Sequence, residues 1–313
     1  MSAPLSPLQT WEQLATGVVA FPAAEVGGRD VVAVTGPDAG SWLQGQLSQD
    51  LSGLAPGGSC QALLLAPQGH MVAVLSVGRQ APDRFLLLVD GGHGEAVVER
   101  LRRFRLRVKA EVELESRSVV CLRGPGAAAA AEASGGIAAI DAGWGAVGAA
   151  DVVLEGAGGS GLGLPGGPAT GDRGAYEALR IVAGVPLMGR EVDAKTIPHS
   201  LGAVIERAVS FTKGCYTGQE LVARMDARGA NVPRSLVAVV APAGGLAVGD
   251  EIFAGTTPVA TVTSAGAVPG GPEVGLAFVK RGTAVPGAGS AGEAGAREIL
   301  IEPLPVSRLL PGR

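Results

Sequence analysis

The run Phe211-Thr-Lys-Gly-Cys-Tyr-Thr-Gly-Gln-Glu220, continuing Leu-Val-Ala-Arg-Met225, concentrates the side chains best able to do chemistry. A cysteine acts as nucleophile or soft metal ligand through its thiolate, so a reactive one needs a setting that favours the anion. Thr217 and Glu220 have the S/T-x-x-E spacing of a capping box, which would start a helix whose apolar face is Leu221, Val222 and Met225. Cys215 would then sit two residues before the cap, near the positive end of the helix dipole. Lys213, two residues away, adds a second positive charge. Gly214 and Gly218 permit sharp turns and close approach of a ligand to the sulfur. A small buried thiol with turn-shaping glycines is the plainer alternative, and the polar neighbours with the helix start favour the reactive reading.

The remaining candidates are weaker. Cys60 and Cys121 lie in apolar strand contexts and read as core, and three widely spaced cysteines without a CxxC pair give neither a disulfide framework nor a zinc site. Arg100, Arg102, Arg103, Arg105, Arg107 and Lys109 crowd one helix end. They read as a solvated face near a helix C-terminus, or as a docking site for tRNA, a partner protein or a polyanionic tail. Gly124-Pro-Gly126 and Gly156–Gly167 carry neither a dinucleotide fingerprint nor a P-loop. His199, after Pro198, reads as a surface or turn residue.

These residues need elements to hold them. With 313 residues, 47% hydrophobic and 17% charged, the chain has enough apolar content for two or three globular domains. A net charge of −4 argues against coating nucleic acid through bulk charge. No apolar run reaches the ~18–20 residues of a membrane span, and the N-terminus lacks a basic leader, so a reducing, cytoplasmic setting is expected. Val31–Thr35, Leu63–Leu65, Met71–Val77, Phe85–Val89, Val119–Leu122 and Asp151–Leu154 read as strands. Asp38 stands at a helix start ahead of Trp42, Leu43 and Leu47, residues 95–108 read as a helix, and Tyr176–Ala183 as another. Residues 156–174 read as a loop. From Ser235 onward, short candidates at 236–240, 251–253, 259–264, 276–279 and 298–301 suggest a small β-barrel, with 285–295 as a loose loop.

The motif Lys213-Gly-Cys-Tyr-Thr-Gly-Gln-Glu220, with Val222-Ala-Arg224 and Arg228-Gly-Ala-Asn231, resembles the signature of the YgfZ-type folate-binding proteins, relatives of the glycine-cleavage T-protein aminomethyltransferases. Three further stretches extend the resemblance: Trp42-Leu-Gln-Gly-Gln-Leu-Ser-Gln-Asp-Leu51, Leu101-Arg-Arg-Phe-Arg-Leu-Arg107, and Leu179-Arg-Ile-Val-Ala-Gly-Val-Pro186 with Ile197-Pro198. It implies an α+β, three-domain aminomethyltransferase-like fold closed by a C-terminal β-barrel. The expected division is 1–53 with 117–234 as the folate domain, 54–116 as a second domain and 235–313 as the barrel. It also implies tetrahydrofolate as cofactor and a role supporting iron–sulfur enzymes, including those that modify tRNA, with direct tRNA contact an open alternative. Cys215 and Lys213 become the expected catalytic pair. Gly214, Tyr216, Gly218, Gln219, Glu220, Arg224 and Arg228 become the expected folate-binding residues, the two arginines able to hold the folate tail. No metal ligands are implied.

Two departures choose between relatives. True aminomethyltransferases carry a catalytic carboxylate in the segment matching Ala66-Pro-Gln-Gly-His-Met-Val-Ala-Val74, which here has no Asp or Glu. Without it nothing orients or deprotonates the attacking folate nitrogen. Val182 stands where those enzymes place a second, pterin-gripping carboxylate. An accessory protein is therefore expected ahead of the alternative, a folate-dependent one-carbon transferase.

Overall fold

The computed structural model describes residues 3–156, 167–229, 231–292 and 297–313. Strands and helices are numbered in chain order. A first antiparallel sheet has the order β1 (Val19–Pro22), β7 (Val119–Arg123), β9 (Ala149–Val153), β8 (Ala138–Asp141). A second has the order β3 (Ser59–Leu65), β4 (Met71–Ala81), β5 (Arg84–Asp90), β2 (Arg29–Thr35), β6 (Glu111–Glu115). The third closes as a barrel in the order β10 (Arg234–Ala241), β13 (Glu273–Lys280), β12 (Thr257–Ala267), β11 (Glu251–Ala254), β14 (Gly287–Ala291), β15 (Arg297–Glu302), with β15 returning to β10. The helices are α1 (Pro7–Thr16), α2 (Ala39–Gln46), α3 (Gly94–Arg103), α4 (Ala127–Glu132), α5 (Arg173–Ala183), α6 (Ala203–Ala208) and α7 (Gln219–Ala227).

The continuous apolar runs have a common cause. Successive strand residues face opposite sides, and the central strands are covered on both. In β2, Val31 and Ala33 join the core beneath α5, whereas Val32 and Val34 join the core under α2 and α3. In β10, Leu236, Ala238 and Val240 face the body of the molecule while Val237, Val239 and Ala241 fill the barrel. α5 is buried along most of its length, capped by the Asp172 carboxylate on the Ala175 amide and ended by Gly184 at φ +72°. A buried Glu191 fastens this helix to the barrel: it accepts from the Thr263 and Ser264 hydroxyls at 2.6 and 2.7 Å, and Arg180 of α5 donates to Ser264 at 2.8 Å. The second sheet is sewn to the first by Gln61 and Gln80, whose amides donate to the Asp141 and Ile137 carbonyls at 2.8 Å each.

Several expected boundaries change. The helix expected to run to Val108 ends at Arg103, and the chain turns through Arg107 at φ +58°, leaving Leu106 83% exposed. Residues 287–291, expected within a loop, form β14, while 293–296 lie outside the described residues. Of the loop expected at 156–174, residues 157–166 also lie outside them, and Arg173 already belongs to α5. Asp38 stands at the start of α2, but its carboxylate accepts from the Lys109 amide at 2.8 Å instead of capping the helix. Strand β2 pairs with β5 and β6, so the second sheet takes chain from both sides of residue 53. No helix among the described residues is long and apolar enough to cross a membrane.

Candidate functional site

The cysteine loop rests on the end of α2. A helix leaves its last carbonyls without intrahelical partners and its C-terminus partly negative. Lys213 answers both: its ammonium donates to the carbonyls of Gln44, Leu47 and Gln49 at 2.7, 2.7 and 2.8 Å, and stands 5.3 Å from the centroid of the Tyr216 ring. All three of its protons are engaged. Burial pulls its pKa down to about 8, against Asp50 and Cys60, which pull it up. The Thr217 amide donates to Gly45 at 3.0 Å, and the Ser48 hydroxyl donates to Ala208 at 2.5 Å. The segment Trp42–Leu51 is thus the cradle of the cysteine loop.

Two expectations are corrected here. Lys213 spends its donors on carbonyls and holds the loop in place, where its spacing suggested a cation left free beside the thiol. The capping box does not form: α7 starts from Gly218 at φ +84°, the Thr217 hydroxyl turns to Gly45, and Glu220 pairs with Arg224 across one helical turn at 2.5 Å. Gln219 takes over part of the capping by accepting from the Tyr216 amide at 3.1 Å. Cys215 lies three residues before the cap and is exposed, as is Gly214. Of the other two thiols, Cys121 is core, as expected, and Cys60 is half-buried against the core under α2 and α3. Burial pushes Cys121 up to about 12 and Cys60 up to about 11, so neither competes as a thiolate near neutral pH.

Gly218 meets the turn between β3 and β4. A Cβ there would lie 2.5 Å from the Ala66 carbonyl oxygen and 2.7 Å from the Leu65 Cβ, while one on Gly69 would lie 2.5 Å from the Leu221 Cβ. The segment that lacks the transferase carboxylate therefore serves as a seat for α7.

At the other end of α7 a cleft of about 880 Å³ opens between the helical body and the barrel. Its apolar wall includes Leu236, Val237 and Leu304, and its cations are Arg207, Arg228, Lys280 and Arg281. Of the nine expected site residues, Arg228 alone belongs to this wall. The nine residues of α7, at ~1.5 Å each, put its two ends about 13 Å apart. The expected constellation is consequently split: thiol at one end of the helix, cleft at the other, with Arg224 on an exposed face between them.

Trp144 and Arg207 border both the cleft and an inner chamber of about 60 Å³, which Arg29, Asp90 and Asp151 also line. The chamber wall is a buried charge network. Asp151 binds Arg123 at 2.8 Å and Arg29 at 3.4 Å, and both arginines donate to the Tyr176 hydroxyl. Burial pushes the Asp151 carboxyl up, but Arg123 and Arg29 outweigh it and hold it below the usual range. Arg123 and Asp151 show themselves in the sequence as charges in otherwise apolar strands, at the end of β7 and in the middle of β9. Nothing in the sequence marks Arg207 or Arg281. His199, expected as a surface or turn residue, lies in a 3-10 turn but is buried, with neither ring nitrogen hydrogen-bonded among the described residues, and burial lowers its pKa against Asp226.

The chain was compared with known proteins. Residues 23–147 match the GCVT N-terminal domain family. An uncharacterized protein of Haemophilus influenzae is 30% identical over 207 residues, covering 64% of this chain and 67% of that one. The tRNA-modifying protein YgfZ of Edwardsiella ictaluri is 30% identical over 228 residues, covering 63% of this chain and 65% of that one. The chain belongs to the YgfZ-type family. The glycine cleavage system aminomethyltransferase T of Bartonella henselae, only 20% identical, superimposes over 98% of this chain and 91% of its own with a TM-score of 0.80, which establishes the shared fold. The alignments reach about two thirds of the length of these two relatives.

A tetrahydrofolate fits one of the two spaces. The cleft falls within the ~300–1,000 Å³ of ordinary small-molecule sites. The inner chamber has room for little more than water, whose share of liquid volume is ~30 Å³. Apolar Leu236 and Leu304 would flank the ring system and Arg207, Arg228 and Arg281 would meet the carboxylates. When bound, the reduced pterin would supply a carrier for a one-carbon unit. Among the described residues, no cluster of three or more His, Cys, Asp or Glu is placed to hold a metal.

Proposed function

We propose that this protein is a tetrahydrofolate-binding accessory factor that supports the assembly or repair of iron–sulfur clusters in client enzymes, among them enzymes that modify tRNA, with Cys215 as its reactive group. The observation that carries the reading is the placement of that thiol. It is exposed, on a loop pinned by Lys213, about one helix length from the cleft where a folate has room. A thiol set apart from the ligand is suited to meeting a client protein, and thiolate is a preferred ligand for iron in clusters. Family membership and the name of the Edwardsiella ictaluri relative support the tRNA-modification setting. The alternative, aminomethyl transfer, lacks its carboxylate on β4, where Met71, Val72, Ala73 and Val74 stand.

The test is complementation in cells deprived of this protein, reading the activity of an iron–sulfur enzyme that thiolates tRNA. Wild type restores it. Cys215→Ala, accumulating as a folded protein, is expected to restore less than about a tenth. Full restoration by Cys215→Ala would remove the thiol from the mechanism.

A further inference from the structure

The cleft carries more positive charge than a folate monoglutamate uses. Among the described residues no Asp or Glu lines it, and no carboxylate stands within ion-pair distance of Arg207, Arg228 or Arg281, although the chain as a whole is acidic. Arg281 donates to the Asn231 side chain at 3.1 Å, which aims the guanidinium without neutralising it. Arg207, half-buried at the end of α6, feels Glu206 and Asp141 only through space. The three arginines come from α6, the end of α7 and the turn after β13, so the charge is spread along the cleft instead of focused on one point.

We propose that the cleft binds an oligo-γ-glutamate chain, with Arg207, Arg228 and Arg281 each taking carboxylates along it, so that the protein prefers polyglutamylated tetrahydrofolate to the monoglutamate. This rests on the folate reading above and assigns the tail to a place. Spaced guanidiniums match carboxylates repeated along a flexible chain, and each can accept a bidentate pairing. A nucleic-acid strand fits the cleft less well, because single-strand sites interleave cations with exposed aromatic platforms. Trp144, the aromatic residue on this wall, is 2% exposed and lies under Arg123 at 4.3 Å. The arginine-rich end of α3 is the rival site. There Arg100 donates to Leu65 and Arg102 to Val112, so those two are occupied by backbone carbonyls, while Arg103 stays exposed.

The experiment titrates the full chain calorimetrically with monoglutamyl and pentaglutamyl tetrahydrofolate, in wild type, Arg207→Gln, Arg281→Gln and Arg103→Gln, each checked for folding by circular dichroism. Wild type is expected to bind the pentaglutamate about tenfold more tightly, from several exposed ion pairs acting together. The ratio should fall below about threefold in Arg207→Gln and Arg281→Gln and persist in Arg103→Gln. Equal affinity of wild type for both ligands overturns the tail site and leaves the folate reading standing. Binding of neither ligand overturns both. Loss of the preference in Arg103→Gln alone moves the site to α3. A single-stranded oligoribonucleotide that binds in an Arg281-dependent way, with no effect of tail length, overturns the proposal in favour of a phosphodiester.

Discussion

Lys213 has a different job from the one its neighbourhood suggests. Two residues from a candidate nucleophile, a lysine reads as a source of positive potential, yet its ammonium closes the end of α2 by binding three carbonyls. Lys213→Met would leave those carbonyls short of donors, at a cost of about 2–3 kcal/mol. The pH dependence has a definite sign. Lys213 is held at about 8 by burial, and in the unfolded chain it titrates near ~10.4. Between these values the unfolded chain holds the extra proton, so stability rises with pH. The contribution is complete above the unfolded value and is lost as pH falls through about 8. Urea denaturation of wild type and Lys213→Met, at about pH 7 and about pH 9.5, should show the gap widening at the higher pH. An unchanged gap would mean that the lysine keeps its ordinary pKa, and a narrowing one that the three carbonyls hold it above that value. The core position of Cys121 was legible from sequence, because apolar strand neighbours mark it, while Cys60, with similar neighbours, is only half-buried. The partners of Lys213 were not legible, since they lie about 165 residues away in the chain and a carbonyl leaves no mark in a sequence.

The seat of α7 is an element-scale device built from two glycines. Gly218 begins the helix in the left-handed region and abuts Ala66 and Leu65, while Gly69 of the β3–β4 turn abuts Leu221. Gly218→Ala combines left-handed strain of ~1–2 kcal/mol with overpacking of ~1–3 kcal/mol against backbone. The expected loss is about 2–5 kcal/mol, together with faster alkylation of the loop. Denaturation midpoints and the rate of Cys215 alkylation read the two effects, and an Ala variant matching wild type in both would show that the turn does not seat the helix. The same contact explains why the S/T-x-x-E spacing at Thr217 misleads. A capping side chain would need Thr217 at the helix start, but the close approach of α7 to the turn puts a glycine there and sends the threonine to Gly45. The strand pattern was more legible. The runs at 31–35, 71–77 and 85–89 read directly, because alternate residues feed two cores. β1 was hidden by Pro22, β6 by the charges of its Glu-Val-Glu-Leu-Glu sequence, and β14 by glycines that look like loop.

At the scale of the whole molecule, the apolar contact of barrel on body is fastened, among the described residues, by a buried polar junction. Glu191 is 1% exposed; besides two barrel hydroxyls, its carboxylate accepts from the Leu187 amide at 3.0 Å and lies 3.6 Å from Arg180. Arg180 keeps Glu177 as a second carboxylate at 2.5 Å, so losing Glu191 does not strand the guanidinium entirely. What it strands are the donors of Leu187 and Ser264, whereas the Thr263 hydroxyl keeps the Leu276 carbonyl at 3.0 Å. Breaking a buried charged junction from one side costs ~3–5 kcal/mol, and the retained Glu177 pair places Glu191→Ala at the lower end, about 3 kcal/mol. Glu191→Gln keeps an acceptor and should cost about 1–2 kcal/mol. The loss should be uneven in space. Amide exchange is expected to speed up in α5 and β12, which meet at this junction, while β2, β4 and β5, which also anchor alternate residues in the separate core under α2 and α3, stay protected. Hydrogen exchange with mass analysis resolves those segments. Uniform acceleration would mean that the barrel and body unfold as one cooperative unit. Acceleration confined to β12 and α5 would mean that the barrel can part from the body, and the arginine-lined cleft between them with it.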